Sequence, residues 1–326
     1  MKPRLDLIPL ALVPLIALAA LPLVPSSATW LTLTVAGLAM GMMIFVMASG
    51  LTLVFGLMDV MNFAHGAFIS VGAYAGASVL LAMKSSMQSQ SLAGNLVAIV
   101  PGVLAAMVLA GALGWFFERV VVRPVYGEHL KQILVTMGGL IVCEQLIHVV
   151  WGPDLIALPR PATLTGAFLI GDAAIERYRM LAVVIGLAVF AGMWLVLNRT
   201  KVGLLIRAGV ENTEMVESLG YRIRRLFVGV FVAGSALAGL GGVMWAMYQE
   251  SLTAAMGMQV MVVIFIVIII GGLGSVGGCF LGAVLVAMVA NYVGYLLPKV
   301  ALASDILLMI AVLMWWPKGL YPVAKR

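Results

Sequence analysis

Residues 32–57 read TLTVAGLAMGMMIFVMASGLTLVFGL and contain no Lys or Arg. This stretch is longer than the roughly 20 apolar residues that a transmembrane helix needs. It is typical of the chain, because 63% of the 326 residues are hydrophobic, only 10% are charged and the mean hydropathy is +1.15. Soluble domains are about 45–50% apolar and about 25% charged, and a soluble fold of this length cannot bury so much apolar surface. The sequence therefore predicts an all-α integral membrane protein.

The apolar segments predict about ten transmembrane helices within a single domain, residues 1–326. The segments are 8–24, 32–57, 63–83, 96–117, 133–151, 180–197, 226–247, 258–270, 279–297 and 303–316. The count falls to eight or nine if one glycine-rich segment enters and leaves the membrane on the same side. The first segment has two interpretations, because Ser26-Ser27-Ala28 resembles a signal-peptidase site. It is either a cleaved signal or the first membrane helix, and the apolar segment that follows at once favours the helix.

The Lys and Arg residues predict the orientation, because they concentrate on the cytoplasmic side of membrane proteins. With ten crossings, both termini lie on one side. That side carries Lys2, Arg4, Arg119, Arg123, Lys131, Arg199, Lys201, Arg207, Arg222, Arg224, Arg225, Lys318, Lys325 and Arg326, and the other side carries Lys84, Arg160, Arg177, Arg179 and Lys299. We therefore expect cytoplasmic termini, an external loop at 152–179 and a cytoplasmic loop at 198–225.

The cytoplasmic loop contains a predicted amphipathic helix at Val210–Leu219. Helical spacing separates an apolar from an acidic face, with Val210, Thr213, Val216 and Leu219 on one side and Glu211, Glu214 and Glu217 on the other. Gly220 follows as the expected C-cap. A cytosolic helix between two membrane helices is what a pore-forming subunit offers to a motor subunit.

Four stretches of sequence are informative in combination. In chain order they are Asn62–Gly66 followed by Gly72–Tyr74, Trp151–Asp154, Arg199–Gly220 and Gly271–Gly278. Together they resemble the permease subunits of branched-chain amino acid ABC transporters, the LivH type, from about residue 35 to the C-terminus. Each stretch alone is a weak signal, whereas the ordered set is specific.

This resemblance implies a type II ABC importer permease architecture in the bacterial inner membrane. A second related permease subunit would pair with the chain, two ABC ATPase subunits would dock on it, and a periplasmic solute-binding protein would deliver the solute. The implied function is the import of branched-chain amino acids, or of urea, amides or other organic acids, by alternating access. ATP and Mg²⁺ would be bound by the ATPase subunits, so we expect no cofactor, no enzymatic activity and no nucleic-acid partner for this chain.

The resemblance also implies that the cytoplasmic loop docks the ATPase. The residues expected to take part are Arg207, Ala208, Glu211, Glu214, Leu219 and Gly220. The family's loop often has Asp where this chain has Asn212, beside Glu211. Which acidic residue meets the ATPase is therefore open.

Asn62, Phe63, His65 and Gly66 are candidates for the translocation path or its gate. They lie where one predicted segment ends and the next begins. Irregular backbone at membrane depth occurs only inside protein or beside a water-filled cavity, which favours a role in the path. The alternative is an interfacial helix start with Asn62 as its N-cap.

Gly272, Gly274 and Ser275 are candidates for a hinge or gate in a glycine-rich run. The alternative, which we favour, is close helix packing with a tight turn. The GxxxxGK[ST] pattern of an ATP-binding loop is absent from the sequence, so the run is not a phosphate loop.

Glu144 lies inside the apolar segment 133–151, and His148 lies one helical turn later on the same face. Ionisable residues in a membrane rarely face lipid. The two either line the outer half of the path or form a buried pair between helices, and the apolar Leu140 on the same face favours the pair. Glu144 also supports an alternative function, an autonomous ion-coupled secondary transporter or channel.

The sequence predicts no metal or catalytic site. Cys143 and Cys279 each lie in an apolar run, where they pack as small hydrophobic residues. The three His residues are scattered along the chain.

Overall fold

The computed structural model describes residues 7–322, most of which are helical. The helices are α1 (Leu7–Ala20), α2 (Ser27–Met58), α3 (His65–Ala82), α4 (Lys84–Met87), α5 (Leu92–Phe117), α6 (His129–Trp151), α7 (Arg177–Arg199), α8 (Lys201–Glu211), α9 (Thr213–Ser218), α10 (Ile223–Gln249), α11 (Met256–Gly271), α12 (Val276–Leu296) and α13 (Ala301–Trp315). A π-helical turn, Glu118–Val122, and a 3₁₀ turn, Arg123–Val125, continue α5. Two short antiparallel sheets pair β1 (Ile156–Ala157) with β4 (Ser251–Leu252), and β2 (Ala167–Ile170) with β3 (Ala173–Glu176).

Each of the ten predicted segments overlaps one apolar helix, so the prediction of an all-α membrane protein is confirmed. Between residues 7 and 322, seven helices are long and apolar enough to cross a membrane, whereas α1, α11 and α13 are apolar but shorter. The helix ends differ from the predicted ones by a few residues. For example, α2 begins at Ser27 rather than at residue 32, because the Ser26 hydroxyl accepts a hydrogen bond from the Thr29 N–H and caps the helix.

The centre of the bundle consists of α2, α3, α10 and α12, whose side chains form a continuous apolar core. In the most apolar stretch of α2, 78% of the residues are buried, compared with 11% in α7. The peripheral helices expose large apolar side chains, such as Leu130 and Val149 on α6, which are 85% and 81% exposed. Apolar surface on this scale is stable against lipid and not against water.

Glycines let α10 approach its neighbours closely. A Cβ on Gly234 of α10 would lie 2.7 Å from the carbonyl oxygen of Gly50 on α2, and a Cβ on Gly72 of α3 would overlap the Cα of Gly239. Lipid supplies no hydrophobic force between helices, so small residues are needed to bring the backbones into van der Waals contact. They hold α10 at the centre, against α2 and α3.

Contacts between loops show which connections lie at the same end of the helical bundle. At the first, His129 Nε2 lies 3.8 Å from Asp59 Oδ2, and the α11–α12 turn touches α2 at Gly56. At the second, the indole N–H of Trp151 donates to the Ser78 hydroxyl near the end of α3 (2.8 Å). We name the first the basic end, because its connections carry Arg119, Arg123, Lys131, Arg199, Lys201, Arg207, Arg222, Arg224, Arg225 and Lys318. The division of charges between two sides thus follows the predicted one.

Arg160 fixes the connection between α6 and α7 at the opposite end. Its guanidinium donates to two backbone carbonyls in the last turn of α10 (3.0 and 2.8 Å) and pairs with Glu176 (2.9 Å) and Glu250 (3.1 Å). The β1–β4 pairing ties the same connection to the residues after α10. The predicted loop 152–179 is therefore a structured cap, and it ends slightly early because β3 leads directly into α7 at Arg177.

We expect Gly234→Ala to destabilise the protein by about 1–3 kcal/mol, because the new Cβ overlaps Gly50 and forces α2 and α10 apart. Thermal unfolding of the detergent-solubilised chain measures the effect. Gly229→Ala on the same helix is the matched control, since a Cβ there has no neighbouring heavy atom within 4 Å. The control should be neutral, or stabilising by up to about 1 kcal/mol. Equal melting temperatures for the two variants would contradict the close α2–α10 contact.

Candidate functional site

The chain between α2 and α3 is a break that reaches into the bundle. α2 ends at Met58, and its C-cap Asp59 adopts a left-handed conformation (φ 51°). α3 begins at His65, whose Nε2 lies 2.8 Å from the carbonyl oxygen of Met47. Met47 lies about 16 Å before the end of α2, at 1.5 Å per residue. Residues 59–64 therefore run from the basic end back toward the middle of the bundle.

Side chains of α6 satisfy the backbone of this break. The Phe63 N–H donates to Thr136 Oγ1 (3.1 Å), and the Met61 N–H donates to Gln132 Oε1 (3.3 Å). Non-helical backbone inside a membrane protein needs such partners, because lipid offers none. This role of Gln132 and Thr136 was not predicted, although two polar residues one helical turn apart in an apolar segment were the available signal.

A second break, between α10 and α11, resembles the first. α10 ends at Glu250, which with Asp59 is one of the two non-glycine residues of the described chain that have positive φ. The starts of α3 and α11 then meet, since a Cβ on Gly257 would overlap the carbonyl oxygen of Gly66. Ser70 joins them further, because its hydroxyl accepts a hydrogen bond from the Gly257 N–H (2.9 Å). Transporters build sites around paired discontinuous helices of this kind, and the sequence analysis identified only the first of the two.

Asn62 and Phe63 lie within the first break. Asn62 is 1% exposed, and neither its amide nitrogen nor its amide oxygen has a partner among residues 7–322. The predicted N-cap role of Asn62 is wrong, because α3 begins after Ala64 without a side-chain cap. The ring of Phe63 packs against Phe265 of α11 at 4.7 Å between centroids. The amide of Asn62 is therefore enclosed and can still form hydrogen bonds with another polar group.

The glycine-rich run forms the turn between α11 and α12. Gly272 (φ 99°) ends α11, and Gly274 (φ 81°) packs against Gly56. The Ser275 hydroxyl accepts a hydrogen bond from the Gly278 N–H (3.1 Å) and caps α12. This geometry agrees with the favoured interpretation of packing and a turn, and a gating role for these residues stays a prediction.

Glu144 and His148 are half-buried on α6, away from the break. No ion pair joins them in the described part of the chain, so the predicted buried pair is wrong. An α-helix has 3.6 residues per turn rather than four, so the buried stripe of α6 drifts from Gln132 through Leu140 to Ile147. Glu144 and His148 consequently lie at the edge of that stripe.

The loop predicted to be cytoplasmic, residues 198–225, contains two helices rather than one. The Asn212 side chain accepts a hydrogen bond from the Met215 N–H (2.8 Å) and starts α9, which separates it from α8. Gly220 has a φ of 87° after α9, so its predicted capping role is confirmed. The side chains of Glu211 and Glu214 lie outside the described parts of the structure, and their docking role stays a prediction.

The loop packs on the bundle through one side and exposes another. Val216 is buried, whereas Met215, Leu219 and Tyr221 are 61%, 67% and 51% exposed. We name these three residues the α9 patch. The predicted shared face of Val216 and Leu219 is therefore wrong, because α9 ends at Ser218 and Leu219 is its C-cap rather than a residue of the helix.

α8 connects the loop to the core. It packs against α7, α10 and α2, and its Ile206 is buried. Arg207 donates to the carbonyl oxygen of Leu197 at the end of α7 (3.0 Å), and Ala208 is half-buried. Arg207 thus stabilises the α7–α8 corner. No group of three or more His, Cys, Asp or Glu residues that could hold a metal ion occurs between residues 7 and 322.

We expect Thr136→Val to loosen the break, because the buried Phe63 N–H loses its acceptor. Hydrogen exchange of the peptide that spans residues 59–66 should be about tenfold faster or more. Thr32→Val is the matched control, since the Thr32 hydroxyl bonds only to its own helix at Ala28. Unchanged exchange in Thr136→Val would show that α6 does not support the break.

The comparisons with known proteins agree with this architecture. Residues 33–315 match the family model described as "Branched-chain amino acid transport system / permease component". The chain is 24% identical to the high-affinity branched-chain amino acid transport system permease protein LivH of Salmonella typhimurium (87% of this chain, 92% of the relative). It is 27% identical to BraD of Pseudomonas aeruginosa, a permease protein of the same description (77% and 82%). It is 24% identical to the probable branched-chain amino acid transport permease protein LivM of Methanocaldococcus jannaschii (85% and 90%).

No solved structure matches the chain. The family model covers most of the chain, including both breaks and the loop between α7 and α10. This chain belongs to the family of branched-chain amino acid transport system permease components.

Proposed function

We propose that this chain is a membrane-spanning permease subunit of an ATP-driven importer. It carries branched-chain amino acids, or related small polar solutes, across the bacterial inner membrane by alternating access. Its partners are a second related permease, two ABC ATPase subunits that bind ATP and Mg²⁺, and a periplasmic solute-binding protein. The relatives LivH and BraD, which are permease proteins of branched-chain amino acid transport systems, support the substrate class. The names LivH and LivM for similar chains support a paired permease.

The observation that carries the proposal is the cytoplasmic loop with its α9 patch. Three large side chains, Met215, Leu219 and Tyr221, are exposed beyond the apolar helices, at the basic end. Exposed apolar side chains outside the lipid-facing surface mark a protein–protein contact. An autonomous carrier has no use for such a surface, which favours the importer subunit.

The packing suggests how movement passes from the ATPase to the membrane. α8 and α9 both contact α10, and α10 contacts α2 and α3 through glycine backbone. At the glycine positions α10 meets α2 and α3 through backbone, so we expect a displacement of the loop to move α10 together with both helices. α10 in turn leads into the second break, whose helix α11 meets α3 at Gly66 and Gly257.

The solute path passes the two breaks in this proposal. Asn62 supplies an unpaired amide beside it, which can accept and donate hydrogen bonds to a zwitterion without binding it tightly. The solute must interact differently with the outward-open and inward-open states for ATP hydrolysis to drive its transport. Selectivity then comes mainly from the binding protein.

We expect the double variant Met215→Ala/Leu219→Ala to lose the ATPase subunits, because the α9 patch is their apolar anchor. Two anchors of about 1–2 kcal/mol each should weaken the complex about 30-fold or more. Affinity purification of the tagged chain from native membranes, followed by mass spectrometry, measures the loss. Leu130→Ala is the control, because Leu130 is also exposed near the basic end but lies on α6. Purification of the wild-type chain without any ATPase, together with solute transport in ATP-free liposomes, would contradict the proposal.

We expect Ser218→Cys to react with a membrane-impermeant maleimide only in inverted vesicles, and Asp172→Cys only in intact spheroplasts. Both positions are exposed, one beside the α9 patch and one in the β2–β3 turn. Background labelling is low because Cys143 and Cys279 are buried. The opposite labelling pattern would place the termini and the cytoplasmic loop outside the cell.

A further inference from the structure

A cleft of about 280 Å³ lies at the basic end, between the end of α5 and the start of α10. Its lining includes Glu118, Arg119, Arg123, Tyr126, Arg224 and Arg225. The first three belong to the π-helical and 3₁₀ turns that continue α5. Turns of the π type are rare and are frequent at functional sites.

Most guanidinium groups of this cleft have no ion-pair partner among the described residues. Arg119, Arg123 and Arg225 are exposed and form no ion pair within the described chain. Arg224 lies 3.6 Å from Glu217 and is 78% exposed. Four cations therefore surround one carboxylate, that of Glu118, and the cleft has an excess of positive charge. Charge complementarity calls for an anionic ligand.

The carboxylate of Glu118 requires that the ligand also carry a hydrogen-bond donor. It is 3% exposed, and its Oε1 accepts a hydrogen bond from the Tyr126 hydroxyl (2.8 Å). Its Oε2 is buried and has no partner among the described residues. Burial, reinforced by the bond to Glu118, raises the pKa of Tyr126 well above its usual range, so the phenol stays a donor to Oε1. Oε2 is thus left to accept a hydrogen bond from the ligand.

The cleft lies where the apolar surface of the bundle ends. Trp115 and Phe116, in the last turn of α5, are 52% and 47% exposed. Exposed aromatic residues at the end of a membrane helix are typical of the lipid headgroup level. Basic pockets between membrane helices at this level bind anionic lipid headgroups.

We propose that this cleft binds the headgroup of an anionic phospholipid that carries hydroxyl groups, of the phosphatidylglycerol type. The phosphate lies among the arginines, a headgroup hydroxyl donates to Glu118 Oε2, and the acyl chains lie along Trp115 and Phe116. The proposal goes beyond the transport function and does not depend on it. Nothing in it requires the ATPase or the second permease.

Native mass spectrometry of the full detergent-solubilised chain tests the arginines, with dioleoyl phosphatidylglycerol and dioleoyl phosphatidylcholine as probes. Loss of two charges in Arg119→Gln/Arg123→Gln should weaken phosphatidylglycerol binding about 30-fold, at about 1 kcal/mol per residue. The control Lys201→Gln/Arg222→Gln removes the same charge from the same end outside the cleft, and its affinity should change less than about threefold. Equal losses in the two double variants would overturn the site, as would equal binding of the two lipids by the wild type.

Glu118→Gln tests the hydroxyl contact separately. The probes are phosphatidylglycerol and phosphatidylmethanol, which have the same charge but differ in headgroup hydroxyls. The wild type should prefer phosphatidylglycerol about fivefold or more, and Glu118→Gln should lose that preference, because an amide NH₂ replaces the acceptor. A preference that survives in Glu118→Gln would overturn the contact. Displacement of the lipid by an equal concentration of glycerol 1-phosphate would also overturn the proposal, in favour of a free phosphate ester.

Discussion

The contact between Gly66 and Gly257 is the constraint on which the rest of the bundle depends. It brings the first turns of α3 and α11 together backbone to backbone, because a Cβ on Gly257 would overlap the carbonyl oxygen of Gly66 and one on Gly66 would lie only 3.0 Å from that of Gly257. Two helices can meet in this way only if both begin inside the bundle, so the chain before each must be non-helical. The first of those stretches needs hydrogen-bond partners, which α6 supplies through Gln132 and Thr136. The peripheral position of α6 therefore follows from the break that it supports.

α10 also depends on close backbone contact. Its glycines place it against α2 and α3, and its last residue leads into the second break. The helix is packed on all of these neighbours by backbone contact, which transmits displacement better than long side chains that can change rotamer. α8 and α9 pack against the same helix at the basic end. α8 and α9 thus contact α10, and the position of α10 determines how α3 and α11 meet.

The sequence predicted the parts of this arrangement that depend on long runs of residues. Ten apolar segments identified ten helices, because a span of such length leaves no other solution in lipid. The second break could not be predicted, because residues 250–255 have the composition of an ordinary polar loop between helices. The split at Asn212 was missed because apolar spacing continues across it, while one side-chain cap changes the direction of the helix. The Glu144–His148 pair was misplaced for another reason, since a face that is read at four-residue spacing drifts away from the true buried stripe of α6.

The two ends of the bundle differ in how their polar groups are paired. At one end the chain pairs them itself, and at the other several are left for a partner. At the opposite end, Arg160 binds two carboxylates and two backbone carbonyls, and β1 pairs with β4. These groups satisfy one another and hold the connection between α6 and α7 in place. At the basic end, Arg119, Arg123 and Arg225 form no ion pair within the described residues, Glu118 Oε2 is unpaired and the α9 patch is exposed. Unsatisfied charge and exposed apolar area are unfavourable in isolation. We propose that anionic lipid and the ATPase subunits cover these groups at the basic end.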